Sequence, residues 1–315
     1  MYVLGIDAGG TKTVCLLADS RGRTLAEARG GGANLQAHGE LEVEKVLHQV
    51  MTAALGGAPD DRDIRPAAIC LGIAGVDRPQ DAEAVRGIMQ RIGWKARTLV
   101  VNDALVALAA GAGDEPGVVI IAGTGSIAYG RNAADRAARA GGWGYLLGDE
   151  GSGFWIGRRA LSAIVRAADG RGPATALTGL VMAQLELVRP SDLIHQTYYR
   201  DLRRGAIAGL APLVERARAG GDPVAADILS QAGRELTAAA SSVVARLDMR
   251  GDVFPTLLAG GIFKAVPWLA GELIGLLSEV APRSDVRLLE VEPAAGAVRL
   301  ALAEAGGGAK LPAYL

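Results

Sequence analysis

Short apolar runs broken by glycine turns open the chain. Tyr2 to Asp7 is one such run, Ala8-Gly9-Gly10 a turn, and Thr13 to Ala18 a second run. Asp19-Ser20-Arg21-Gly22 turns again before a third run from Thr24 to Ala28, so the spacing predicts a three-stranded meander. The period then changes. Apolar residues at 43, 46, 47, 50, 51 and 54 line one face of a helix between Leu41 and Leu55. A strand (Ala67 to Ile73), a helix carrying Val85, Ile88, Met89 and Ile92, a strand (Thr98 to Val101) and a helix after Asn102-Asp103 follow. The order is β-β-β-α-β-α-β-α.

Around Gly111 to Gly117 the composition turns loop-like, and the opening pattern then starts again. Val118 to Ala122 reads as a strand, Gly123-Thr124-Gly125-Ser126 as a turn, and Ile127 to Arg131 as a strand. This repeats the device of residues 3 to 18 and predicts two α/β lobes of related plan. Helical patterns run from about 152 to 169, 204 to 219, 224 to 247 and 267 to 280, with strands near 255 to 260 and 286 to 291.

Composition narrows the class. A chain of 315 residues suits two domains of ordinary size. A formal net charge of −1 gives no electrostatic pull toward nucleic acid or an anionic membrane, so neither is an expected partner. No apolar run approaches the roughly 20 residues of a membrane helix, and the first residues lack the basic and apolar regions of a signal peptide. The two cysteines, Cys15 and Cys70, lie in strand-like runs and read as buried, reduced thiols; with three scattered histidines they make no metal cluster. The expected compartment is reducing, the cytoplasm. The 44 glycines gather in clusters that mostly follow apolar runs, which marks sharp turns or close approach to a ligand.

Six features carry candidate chemistry. In Asp7-Ala8-Gly9-Gly10-Thr11 a strand ends in a carboxylate, two glycines free the backbone N–H groups, and a hydroxyl follows. Such a turn can cradle a phosphate, and Asp7 can hold magnesium through water; an ordinary glycine hairpin has the same signature. Gly123-Thr124-Gly125-Ser126 repeats the device, and two such turns can grip a polyphosphate from both sides. Asn102-Asp103 stands at the mouth of a helix, where a carboxylate serves either as an N-terminal cap or as a general base. Gly141-Gly142-Trp143-Gly144 and Gly148-Asp149-Glu150-Gly151-Ser152 set an aromatic face beside carboxylates, which suits a sugar, or form a loop that only caps a helix at Ser152. Asn34 is either a turn residue or an amide that bridges two hydroxyls, and Leu258-Ala259-Gly260-Gly261-Ile262 is a third strand-to-glycine junction.

With these five junctions in this order the chain resembles the sugar kinase–actin–chaperone ATPase superfamily. Within it the chain is similar to the BadF/BadG group and to the eukaryotic-type N-acetylglucosamine kinases. GIDAGGTKT resembles the first phosphate loop, VVNDA the first connection, IAGTGS the second phosphate loop, LLAGGIF the adenosine segment and EPAAGAV the second connection. GGWGYLLGDEGS is similar to the amino-sugar kinases in particular. The resemblance implies an α/β fold of two actin-like (ribonuclease H-like) lobes, residues 1–112 and 113–315, with the last helix packing back on the first lobe and the ligands in the cleft. It implies ATP, magnesium and an amino sugar phosphorylated at its 6-hydroxyl, in a homodimer. Asp103 would be the base. Gly9, Gly10, Thr11, Lys12, Gly123, Thr124, Gly125, Ala208, Gly260 and Gly261 would lie against ATP. Asn34, Asp103, Ser126, Gly142, Trp143, Gly144 and Asp149 would meet the sugar, and Asp7 the magnesium. N-acetylglucosamine is the first expectation; glucosamine, a muramyl sugar, or an ATP-driven activase without a sugar substrate are the alternatives.

Overall fold

A computed structural model describes residues 1–57, 64–76, 78–200 and 202–315, save the Gln36 side chain. In chain order the first half runs β1 (Tyr2–Ala8), β2 (Lys12–Asp19), β3 (Thr24–Gly31), α1 (Leu35–Gly56), β4 (Ala68–Ile73), α2 (Pro79–Arg91), β5 (Arg97–Asn102) and α3 (Asp103–Ala112). The second half opens with β6 (Gly117–Ala122), β7 (Ser126–Arg131) and β8 (Arg136–Gly141). Six helices follow: α4 (Gly153–Ala168), α5 (Leu177–Gln184), α6 (Asp192–Tyr198), α7 (Arg204–Ala208), α8 (Ala211–Ala219) and α9 (Pro223–Arg246). The chain ends with β9 (Pro255–Ala259), α10 (Gly261–Ala265), α11 (Pro267–Val280), β10 (Asp285–Leu288), α12 (Ala294–Ala305) and β11 (Ala313–Tyr314). No described helix is long and apolar enough to cross a membrane.

The expected repeat is visible in the pairing. One sheet has the order β3-β2-β1-β4-β5, and the other β10-β9-β6-β7-β8-β11. Read from β8 to β10, the second repeats the first: an antiparallel meander, then two parallel strands added beside the meander's first strand. The mixed α/β architecture is therefore as the sequence pattern indicates.

Strand β1 is covered on both faces, which is why it reads as an unbroken apolar run. Leu4, Ile6 and Ala8 join the cluster under α1 and α2, while Val3 joins a second cluster that includes α3 and α12. Alternation puts Gly5 and Asp7 on Val3's side. At Gly5 the strand touches α12 so closely that a Cβ would lie 2.4 Å from the Val298 backbone nitrogen. At Gly296 α12 crosses α3 as closely, a Cβ falling 2.0 Å from the Val106 carbonyl. Val119, Ile127 and Tyr129 of the second sheet complete this central cluster, and Val118, Ile120, Ala122 and Ala128 face the outer helices. The layers thus run α1 and α2, first sheet, α12 with α3, second sheet, outer helices.

Two expectations need correction. The pattern from 204 to 219 is two helices, because Pro212 cannot donate to a preceding turn and starts α8 afresh. Strand β8 escaped prediction: its RAARAG sequence consists mainly of helix-forming residues, yet pairing with β7 and β11 makes it a strand.

Candidate active site

The two glycine turns meet. Thr11 Oγ1 and Thr124 Oγ1 are 2.7 Å apart across 113 positions of sequence. Each turn is closed by its own backbone bond, Gly9 N–H to the Lys12 carbonyl and Gly123 N–H to the Gly125 carbonyl, both 2.9 Å. The segment before α1 braces the first turn, with Ala33 N–H donating to the Gly9 carbonyl and the His38 ring nitrogen 3.0 Å from the Gly10 carbonyl. Asn34 sits in that segment, and its side-chain oxygen accepts from Ala37 N–H at 2.9 Å, capping α1. The second turn is fixed by Gly153 N–H donating to the Gly123 carbonyl, which ties it to the start of α4.

Beside the first turn lies a nest of carboxylates. Asp7 is buried at the end of β1, and its pKa is pushed up to about 8 by burial first, then by the charges of Asp103 and Glu292, against the pull of Lys12. Asp103 opens α3, and the Asn102 side chain just before it caps the helix, accepting from Ala104 N–H at 2.8 Å. The cap expected of the Asn102-Asp103 pair is thus supplied by Asn102. Lys12 pairs with Glu292 at 2.8 Å, and Arg29 reaches the other Glu292 oxygen at 3.3 Å. Burial would raise Glu292, but these two cations hold it below the usual carboxylate range.

The Trp143 loop is fastened to the second turn. Gly142 N–H donates to the Ser126 carbonyl at 2.9 Å, and the Ser126 hydroxyl donates to the Glu150 carbonyl at 2.7 Å. Asp149 is buried with φ 60, a left-handed conformation costly for a residue with a Cβ. One of its oxygens lies 3.4 Å from Ser126 N–H, and the other 3.6 Å from the Arg204 guanidinium. Trp143 is exposed, with the Arg139 guanidinium 5.0 Å from its ring centre. Ser152 caps α4 through Trp155 N–H, so the loop caps a helix and presents a ring as well.

Ala208, Gly260 and Gly261 gather behind the second turn. A Cβ on Gly153 would meet Ala208 and Gly123, and Gly260, with φ 106, packs its backbone against the Ala122 carbonyl. The structure thus brings the two turns, Asp7 and Asp103 together at one end of the sheets. Gly142, Ser126 and Asp149 join through the second turn, and Asn34 through the first. Sequence reasoning missed Arg204 and Arg139, which are lone arginines in their local pattern, and the pairing of Glu292 with Lys12, which spans most of the chain.

An oxygen-rich pair of carboxylates with excess negative charge suits magnesium, which takes few protein ligands and keeps its waters. Glycine turns that meet through hydroxyls suit a polyphosphate, and a carboxylate at the helix mouth beside them suits proton transfer.

The family described as BadF/BadG/BcrA/BcrD ATPase matches residues 4–301. An N-acetylmuramic acid/N-acetylglucosamine kinase of Clostridium acetobutylicum is 36% identical over 303 residues, covering 96% of this chain and 99% of that one. An N-acetyl-D-glucosamine kinase of Dictyostelium discoideum is 33% identical, covering 95% and 97%. A crystal structure described as a candidate N-acetylglucosamine kinase from Chromobacterium violaceum is similar at a TM-score of 0.78 and 30% identity, covering 96% and 98%.

Proposed function

The chain belongs to the BadF/BadG/BcrA/BcrD ATPase family, and from that premise we propose that it is an ATP-dependent kinase of amino sugars, N-acetylglucosamine first among them. The observation that carries this reading is the meeting of Thr11 with Thr124 beside Asp7 and Asp103, with the Trp143 loop bonded to the same turn. The kinases named above, alike over nearly their whole length, support it.

In this reading the N–H groups of Gly10 and Gly125 and the hydroxyls of Thr11 and Thr124 hold the phosphates, while Gly9 and Gly123, whose N–H groups close the two turns, let the backbone come close to them. Ala208, Gly260 and Gly261 lie against the nucleoside. Magnesium, held by Asp7 through water, would offset charge on the transferring group. Asp103 takes the proton of the sugar 6-hydroxyl as that oxygen bonds to the γ-phosphorus and the bond to the bridging oxygen of ADP breaks. Lys12 acts from its pairing with Glu292, steadying the first turn. Trp143 offers a flat face, and Asn34, Asp149 and the backbone of Gly142, Gly144 and Ser126 meet the hydroxyls. Closure of the lobes over the sugar would exclude water as a competing acceptor. The enzyme acts as a cytoplasmic homodimer.

An activase that passes electrons through an interfacial iron–sulfur cluster fits less well, since Cys15 and Cys70 are both fully buried in strands. The deciding assay is ADP release with N-acetylglucosamine, glucosamine, N-acetylmuramic acid and glucose. We expect an amino sugar to exceed glucose at least tenfold in kcat/KM, about 1.4 kcal/mol of selectivity. Equal turnover of glucose would sink the amino-sugar assignment.

A further inference from the structure

We infer that Arg204 is a positioning residue of the sugar site, holding Asp149 and the turn after Gly144 where they meet the substrate; the inference rests on the kinase reading above. Arg204 is the first residue of α7, and its side chain is only 30% exposed. Its guanidinium lies 4.3 Å from the centre of the Tyr145 ring and 6.0 Å from that of Phe154, and those rings pack edge to face at 5.3 Å. The same guanidinium is the cation nearest Asp149, Nη2 to Oδ2 at 3.6 Å. One flat charged group therefore touches the loop at two points, four positions apart in sequence: the ring of Tyr145 and the carboxylate of Asp149, which in turn faces the start of β7.

A role in stability alone explains this poorly. The Arg204 Nε is shielded from solvent and has no acceptor among the described residues. A shielded donor of that kind costs stability unless a ligand or a water satisfies it, and Arg204 Nε lies beside the loop proposed to meet the sugar. Asp149 sits in the left-handed region at φ 60, which its short side chain tolerates better than most. Arg204 also stands at one end of a single turn of helix whose other end, Ala208, lies against Gly153 and the second glycine turn. The sugar loop and the nucleotide side are thus joined by five residues.

The groups facing Asp149 fix the sign of its pH response. Burial raises its carboxyl above the usual range; Ser126 N–H and Arg204 pull it down, Glu150 pushes it up, and Gly144 N–H pulls it down. Removing the Arg204 charge lets the carboxyl bind a proton at higher pH, and a protonated Asp149 is a poorer acceptor for a sugar hydroxyl.

Arg204→Met keeps an aliphatic stem over the two rings and removes the charge. We expect KM for the amino sugar to rise at least about tenfold at pH 6.5, as loss of a charge-assisted contact implies, and to recover toward pH 8.5. kcat and KM for ATP should stay within about twofold of wild type, and Arg204→Lys, which keeps the positive charge beside Asp149, should restore the wild-type pH profile. A merely structural residue would give a loss that does not change with pH, or one spread over kcat and both KM values, and either result overturns the inference. So does an unchanged KM. If Arg204→Met fails to fold, a displaced pH profile in Arg204→Lys overturns it too, and a wild-type profile upholds it. A wild-type enzyme that phosphorylates no amino sugar fails the kinase reading and this inference together; an active wild type with an indifferent Arg204 fails this inference alone.

Discussion

The next-to-last residue of β1 is Asp7; at the matching place in β6 stands Ile121. The turns that follow are alike in kind. Four residues separate the last strand pair, Ala8 with Thr13, and three separate Ala122 from Ser126. At the far side of the first sheet β5 runs straight into α3 with Asp103 at the junction; in the second, β10 reaches α12 through a short loop whose Glu292 is bound by Lys12 and Arg29. The duplicated frame shares out backbone donors and threonine hydroxyls evenly, while the Asp7–Asp103 pair of carboxyl groups belongs to one half. A phosphate chain gripped from both sides needs matched donors, but proton transfer and a cation need charge at one place.

The largest effect should come from Asp103→Asn, which gives the first half an uncharged junction. kcat should fall about 10²–10⁴-fold, as loss of a general base does. The melting temperature should hold, because Asn102 carries the cap. The companion Asn102→Ala should do the opposite, costing about 1 kcal/mol of stability with a smaller change in turnover. An active Asp103→Asn enzyme would remove the proposed asymmetry.

Next is Asp7→Asn. Turnover should fall at least about tenfold, since charge stabilisation through a metal is worth several kcal/mol. The same variant tests the burial of Asp7 through stability in the presence of EDTA. A carboxyl moved from 3.8 to about 8 binds its proton more tightly folded than unfolded. Its contribution is complete below the unfolded value and drains away as pH rises toward 8. The melting temperature of the wild type should therefore fall between pH 4 and 8, and Asp7→Asn should flatten that slope. A wild-type curve without the slope contradicts the burial argument.

The smallest effects should come from Thr11→Ala and Thr124→Ala, and here the halves should agree. Each removes one hydroxyl, worth about 0.5–1.5 kcal/mol, so KM for ATP should rise roughly two- to tenfold in either variant. Strongly unequal losses, read by initial rates against ATP, would show that only one turn meets the phosphates.

Much of this comparison is legible in the chain before folding. The apolar runs of β1, β4 and β6 are uninterrupted because both faces are covered, and the glycines after β1 and β6 announce turns that no other residue type would favour so often. Other features are written in no local pattern. Arg136 to Gly141 favours a helix and becomes a strand only through its neighbours, and Gly39, with φ 75, breaks α1 four residues after its start. Asp103 and Asp149 stood out by the company of glycine and asparagine. Arg204 did not, because its meaning comes from two rings and a carboxylate reached through the fold.

The close seat of α12 against β1 bears on how the protein is made. Ala294, Ala297 and Ala301 are fully enclosed there, on the face of the first sheet that also bears Asp7. A ribosome releases the five strands of that sheet long before it releases Ala305. Through that interval Val3, Cys70 and Val106 have the cover of their own half but lack that of α12, and the first sheet stays partly open on this face until the end of translation. A stop codon ahead of Ala294 would spare every residue of the first sheet and still undo it.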